Sequence, residues 1–142
     1  MFAQLATSFV STAAFAILFN VPKRTLLQCG FVGMAGWMLY LLFLQIPVNP
    51  IMATLIASFI VTLTSQIFSK IYKTPVIVFS VSGIIPLVPG GLAYDAMRNV
   101  VENQYDIAVQ LATKAFMLSG AIAIGLVFSE VINHVMRKSK PR

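Results

Sequence analysis

Five groups of residues in this chain have types and spacings that can do chemistry. Thr54, Ser58, Thr62 and Gln66 recur every four positions, with Ser65 and Ser69 beside them, so they share one face of a helix. Inside an apolar run such a face either bonds helix to helix or lines a path for a polar solute. A weaker stripe of Gln4, Ser8, Ser11 and Thr12 reads as helix-to-helix contact. Glu130 is the one acidic residue within an apolar run and precedes His134 by four positions. An ionisable group there is a candidate proton carrier, although reaching the interface to pair with His134 or Arg137 is the expected arrangement. The stretch "GIIPLVPGG", residues 83–91, sets Pro86, Pro89, Gly90 and Gly91 among apolar helix formers. A broken helix at membrane depth is tolerated only where it is buried in protein or lines a cavity. Tyr94, Asp95 and Arg98 follow directly. Arg98 can hold two carboxylate oxygens in its fork, or sit on a solvated helix face. No nucleophile–base pair, metal cluster or phosphate loop stands out, so an enzyme is not indicated and no cofactor or metal is expected.

The elements that carry these residues are membrane helices. The chain is 58% hydrophobic and 10% charged over 142 residues, with mean hydropathy +0.88, where a soluble domain carries about 25% charged residues. An all-α integral membrane protein follows, expected as a single transmembrane domain over residues 1–142. Apolar runs of about 20 residues can cross a bilayer, and they fall at about 2–21, 25–46, 51–69, 75–91 and 107–135. The fourth is short and broken at residues 86–91. An amphipathic helix is expected at about 92–104, with Ala93, Met97, Val100 and Val101 on its apolar face and Asp95, Arg98, Asn99 and Glu102 opposite. Asp106 is a plausible N-cap for the last helix.

Charge sets the expected topology. The net charge of +6 is concentrated at Lys23 and Arg24, at Lys70 and Lys73, and in the tail at Arg137, Lys138, Lys140 and Arg142. If the fourth run crosses, all three clusters lie on one side, which the positive-inside rule identifies as cytoplasmic. The expectation is five spans with the N-terminus outside and the C-terminus inside the cell membrane. Basic residues gathered between apolar runs do not make a nucleic-acid surface. Lys23 and Arg24 follow the first run rather than precede it, which is the wrong order for a cleaved signal peptide. Cys29 is the only cysteine and reads as a small buried apolar residue. Gly30, Gly33 and Gly36, and the pairs Ser119/Ala123 and Ala121/Gly125, mark faces for close helix packing. Lys114 is expected to snorkel at the outer end of the last span.

Three stretches carry a resemblance. They are "LFNVPKR" at 18–24 with the glycine-rich run closing at Gly36 and Trp37, "IIPLVPGG" followed by "AYDAM", and the glycine-rich close of the last span. Together and in this order they resemble the small membrane subunit of the threonine/serine exporter family, over essentially the full length. The resemblance implies export of threonine and serine, or of succinate-like dicarboxylates in some two-subunit forms, driven by the proton gradient. It also implies a larger five-span partner subunit with a cytoplasmic N-terminal domain, alongside membrane lipid and a small polar metabolite as substrate.

An odd number of spans obliges two such halves to sit in opposite orientations, and the N-out topology read from charge suits the second half of an inverted five-plus-five repeat. Such repeats build their substrate site from interrupted helices near the midplane. Pro86, Pro89, Gly90 and Gly91 are then expected to shape the site, with Tyr94, Asp95 and Arg98 reading a charged substrate. The following helix N-terminus would face its carboxylate. Thr62 and Gln66 are candidates for the path, and Glu130 for proton coupling. A non-transporting membrane scaffold is the alternative reading. A small drug-exporting homodimer fits less well, because the first span has no acidic residue.

Overall fold

The computed structural model describes residues 2–138; Lys140 and Arg142 of the basic tail lie outside the described residues. Those residues form six α-helices and two short 3-10 turns, with no strand among them. The helices are α1 (Phe2–Leu18), α2 (Leu26–Gln45), α3 (Pro50–Tyr72), α4 (Val76–Ile84), α5 (Gly90–Val101) and α6 (Tyr105–Lys138). Three are long and apolar enough to cross a membrane: α2 with its leading 3-10 turn, α3 and α6. The bent pair α4–α5 passes the same test when taken together, as a broken span or a re-entrant loop, and α1 is a shorter apolar helix of 17 residues. The chain is a multi-pass helical membrane protein.

Local chemistry sets the helix ends. Asn49 caps α3 by accepting from the Ile51 N–H at 3.0 Å, with Pro50 opening the helix, where its missing N–H costs nothing. Lys73 closes α3 in the left-handed conformation at φ 51°, and Asn20 and Asn103 do the same after α1 and α5 at φ 56° and 59°. Helix α6 starts at Tyr105, so Asp106 lies within its first turn rather than capping it; there its charge complements the helix dipole.

Helix α2 is the centre of the bundle and packs on α1, α3 and α4. Its glycines are where the neighbours come close. A Cβ on Gly30 would stand 2.7 Å from the Phe9 ring, one on Gly33 would overlap Thr12, and one on Gly36 would overlap Val61. Gly125 of α6 likewise receives α3 at Ser58 and at the Leu55 carbonyl, 2.7 Å from where a Cβ would lie. Of the two small-residue pairs in α6, Ala121 and Gly125 are buried while Ser119 and Ala123 remain exposed. The main core joins Val32, Ala57, Val61, Ile84, Leu87 and Ile122, and a second joins Ala16, Cys29 and Phe79.

These contacts also define direction. Gly125 meets Ser58 and, further along both helices, Ser129 meets Gln66, so α3 and α6 run parallel. Phe79 at the start of α4 touches Phe68 and Tyr72 at the end of α3 and packs with Cys29 near the start of α2. Lys23 and Arg24, Lys70 and Lys73, and Arg137 and Lys138 therefore gather at one end of the bundle.

The break in the fourth run is set by its prolines. α4 and the 3-10 turn Ile85–Leu87 rise together only about 20 Å, short of the roughly 30 Å hydrocarbon core. The chain then bends by 50° into α5. Gly83 packs on Val32 and Val61, and Leu87 lies near Gly36; Gly36 and Val61 are mid-helix residues of α2 and α3. The interruption is thus at mid-height, packed against protein at Gly83, Ile84 and Leu87 but exposed at Val88, Gly90 and Gly91. The amphipathic helix begins at Gly90 rather than residue 92, because Pro89 sits immediately outside it with φ −76° and ψ 51°. Its expected apolar face is not buried against this chain: Met97 is 66% and Val101 79% exposed, and Ala96 makes the buried contact as α5 packs on α6.

Candidate functional site

The polar face of α3 divides in two. Its first half is structural: the Thr54 and Ser58 hydroxyls donate to the Pro50 and Leu55 carbonyls at 2.8 and 2.9 Å, beneath Gly125. Its second half opens into a cavity of about 320 Å³ between α3, α4 and α6, within the size range of small-molecule sites. Thr62 and Gln66 line it from α3, Ser80 from α4, and Glu130 and Asn133 from α6, with aliphatic side chains between. Thr62 donates to the Ser58 carbonyl at 2.9 Å, leaving its lone pairs available. Gln66 donates through Nε2 to the Ser129 carbonyl at 3.2 Å and hydroxyl at 3.3 Å, leaving its own carbonyl to accept.

Glu130 makes neither of its expected pairings. Among the described residues the ion pair present is Arg98–Glu102, and Glu130 bonds to neither His134 nor Arg137. Its side chain is exposed on α6, at the rim between the cavity and an outer groove that it shares with His134. Proximity along one helix does not guarantee a pair when the side chain turns to the flank.

The remaining site candidates are dispersed. Pro86 borders a separate cleft against α1, with Gln4, Thr7, Ser8, Ser11 and Trp37. Gly90 and Gly91 open α5 with no side-chain cap, and a Cβ on either would meet nothing within 4 Å. Tyr94 and Arg98 line a shallow groove on the exposed side of α5 with Met97, Val101 and Glu102. There the Arg98 Nε donates to Glu102 Oε1 at 2.9 Å, one helical turn on, so the guanidinium expected to be free for a carboxylate is partly engaged. Asp95 is exposed on the same helix. The break residues and the α5 side chains therefore do not share the cavity that holds Thr62, Gln66 and Glu130.

Ser80 and Asn133 went unrecognised as cavity residues. Asn133 stands three positions after Glu130, on the same side of α6, and that spacing was the available signal. Ser80 had none, because its place depends on how α4 turns against α3.

With this geometry in view, a family model described as Threonine/Serine exporter, ThrE, matches residues 4–132. The chain belongs to the threonine/serine exporter family. The match takes in all of α2 to α5 and most of α1 and α6, so the cavity between α3, α4 and α6 lies within the exporter domain apart from Asn133. No solved structure matches this exporter-family chain. Membership places it among transporters, and a mainly apolar cavity with a few polar groups, within a multi-pass helical bundle, suits that work.

Proposed function

We propose that this chain is the small membrane subunit of a secondary exporter for hydroxylated amino acids, threonine and serine, working with a larger five-span subunit that carries a cytoplasmic N-terminal domain. In this reading α1, α2, α3, the bent pair α4–α5 and α6 make five crossings of the cell membrane. The basic end faces the cytoplasm, the N-terminus lies outside, and the chain forms half of an inverted five-plus-five assembly. The exposed Glu130 and the open space beside Gly90 and Gly91 support a protein neighbour on those surfaces.

One observation carries the choice of substrate. The cavity offers one carboxylate, hydroxyls and amides, but no cation among its lining residues. A dicarboxylate there would meet repulsion from Glu130 and find no counter-charge. An amino acid would place its ammonium near Glu130 and its hydroxyl and carboxylate among Thr62, Gln66, Ser80 and Asn133. Glu130 then takes up a proton when the ammonium leaves, which couples efflux to inward proton movement.

The test is efflux from cells loaded with labelled threonine, serine or succinate, co-expressing both subunits. Threonine or serine efflux that falls about tenfold or more in Glu130→Gln, the loss expected for a charged hydrogen bond, supports the reading. Efflux of succinate alone overturns the substrate assignment. No efflux of any of the three overturns the transporter role of the pair in favour of a scaffold.

A further inference from the structure

The end of α1 and the start of α4 leave an apolar groove between them at the basic end of the bundle. Helix α1 stops at Leu18, and Asn20 at φ 56° folds the chain back so that the Val21 N–H donates to the Ala16 carbonyl at 3.0 Å. Phe19 and Val21 then form one wall. Ile77, Val78, Val81 and Ser82 of α4 form the other, around about 230 Å³. The one polar side chain of this lining is already engaged, since the Ser82 hydroxyl donates to the Val78 carbonyl at 2.8 Å. A polar solute would lose its hydration there without gaining a partner, so the lining suits a hydrocarbon chain.

The rim of the groove is charged. Val21 leads through Pro22 into the turn that carries Lys23 and Arg24, which keeps the Lys23 Cα within about 7.6 Å of the Val21 Cα. On the opposite side Lys73 closes α3, two residues ahead of Pro75, from which α4 starts. The Gln28 side chain draws the two sides together. With its amide oriented to satisfy both ends, it donates to the Arg24 carbonyl at 3.0 Å and accepts from the Tyr72 hydroxyl at 3.3 Å. Lys23, Arg24 and Lys73 are exposed, and the ion pair among the described residues is Arg98–Glu102, so none of the three has an acidic partner there. The chain has four acidic residues. Asp95, Glu102 and Asp106 lie beyond the break, and Glu130 is on α6, which packs mainly on α3 and α5.

We propose that this groove is a binding site for an anionic phospholipid. One acyl chain lies between Val21 and the Ile77–Val81 side of α4, and Lys23 and Arg24 hold the phosphate, with Lys73 adding to the local positive potential. The site needs nothing from a transported solute and stands independently of the exporter reading.

Native mass spectrometry of the full chain, released from nanodiscs of equal parts phosphatidylglycerol and phosphatidylcholine, counts the lipids retained. Each basic residue at a membrane surface is worth about fivefold in attraction to anionic lipid, so phosphatidylglycerol should be retained in preference by about tenfold or more. Lys23→Gln combined with Arg24→Gln should remove most of that preference. Arg137→Gln combined with Lys138→Gln takes the same charge from the same end, on α6, and should leave the preference in place. Val81→Trp fills the groove from an exposed position and should lower phosphatidylglycerol retention severalfold with the basic residues intact. Equal retention of the two lipids overturns the site. So does an equal loss in the two charge variants, which would assign the preference to the basic end as a whole. Retention unaltered by Val81→Trp would leave a headgroup contact without a groove and overturns the proposal too, and a dimer without bound lipid would give the groove to a second copy of the chain.

Discussion

The Gln66 side-chain amide reaches across from α3 to Ser129 on α6, donating to its carbonyl at 3.2 Å and its hydroxyl at 3.3 Å. This cross-link sits one residue before Glu130 and fixes the distance between two walls of the inner cavity. Gln66→Leu leaves the Ser129 hydroxyl without this partner and removes a polar cavity group. Membrane hydrogen bonds average about 0.6 kcal/mol and reach about 1.7, so a small loss of stability is expected in detergent unfolding, with a larger loss of efflux. A fall in stability with efflux untouched would assign Gln66 to packing alone.

Glu130→Gln separates exchange from coupling. At raised threonine concentration, which offsets the weaker binding once the ammonium has lost its carboxylate, the variant should still exchange labelled for unlabelled threonine across the membrane, because the hydroxyl and amide groups of the cavity remain. Net efflux should no longer rise when the external pH is lowered. A variant that retains the wild-type response to external pH would remove Glu130 from the coupling step.

The glycines of α6 should respond in opposite ways. Gly125→Val drives a side chain into Ser58 and the Leu55 carbonyl, and overpacking of this kind costs about 1–3 kcal/mol. Gly120 has nothing within 4 Å of its Cβ position, so Gly120→Ala should be neutral or slightly stabilising. Thermal unfolding of the two variants side by side measures the contrast.

Arg98→Gln should change efflux by less than about twofold, because Arg98 is exposed and bonded within its own helix to Glu102, and exposed pairs of this kind contribute little. A loss of transport much beyond that, at normal expression, would show that Arg98 leaves Glu102 to hold substrate.

Sequence reached some of this and not the rest for a physical reason. Periodicity orders residues around one helix, so the α3 stripe and the Gly30–Gly33–Gly36 face of α2 could be read directly. The proline and glycine content of residues 83–91 pointed to a helical interruption. Which faces meet is decided by packing between distant segments, and no spacing announces that Ser80 would line the same cavity as Glu130. Nor could spacing show that the α3 stripe splits between a packed half and a cavity half, because that depends on where Gly125 lets α6 approach. Arg98 looked available because its partner Glu102 was counted as one more charge on the same solvated face.

Helix α6 is longer than one crossing of the hydrocarbon core requires. Its 34 residues extend about 51 Å, and even at a tilt of about 40°, the upper end of the usual range, the rise is about 39 Å. That exceeds the roughly 30 Å of hydrocarbon, so part of α6 must extend into the polar headgroup region or beyond it. The end that carries Asp106, Gln110 and Lys114 is the polar candidate opposite the basic clusters, and α5 is packed along it. The turn at Asn103 and Gln104 then lies at the headgroup level or beyond, within reach of a water-borne protease or impermeant label.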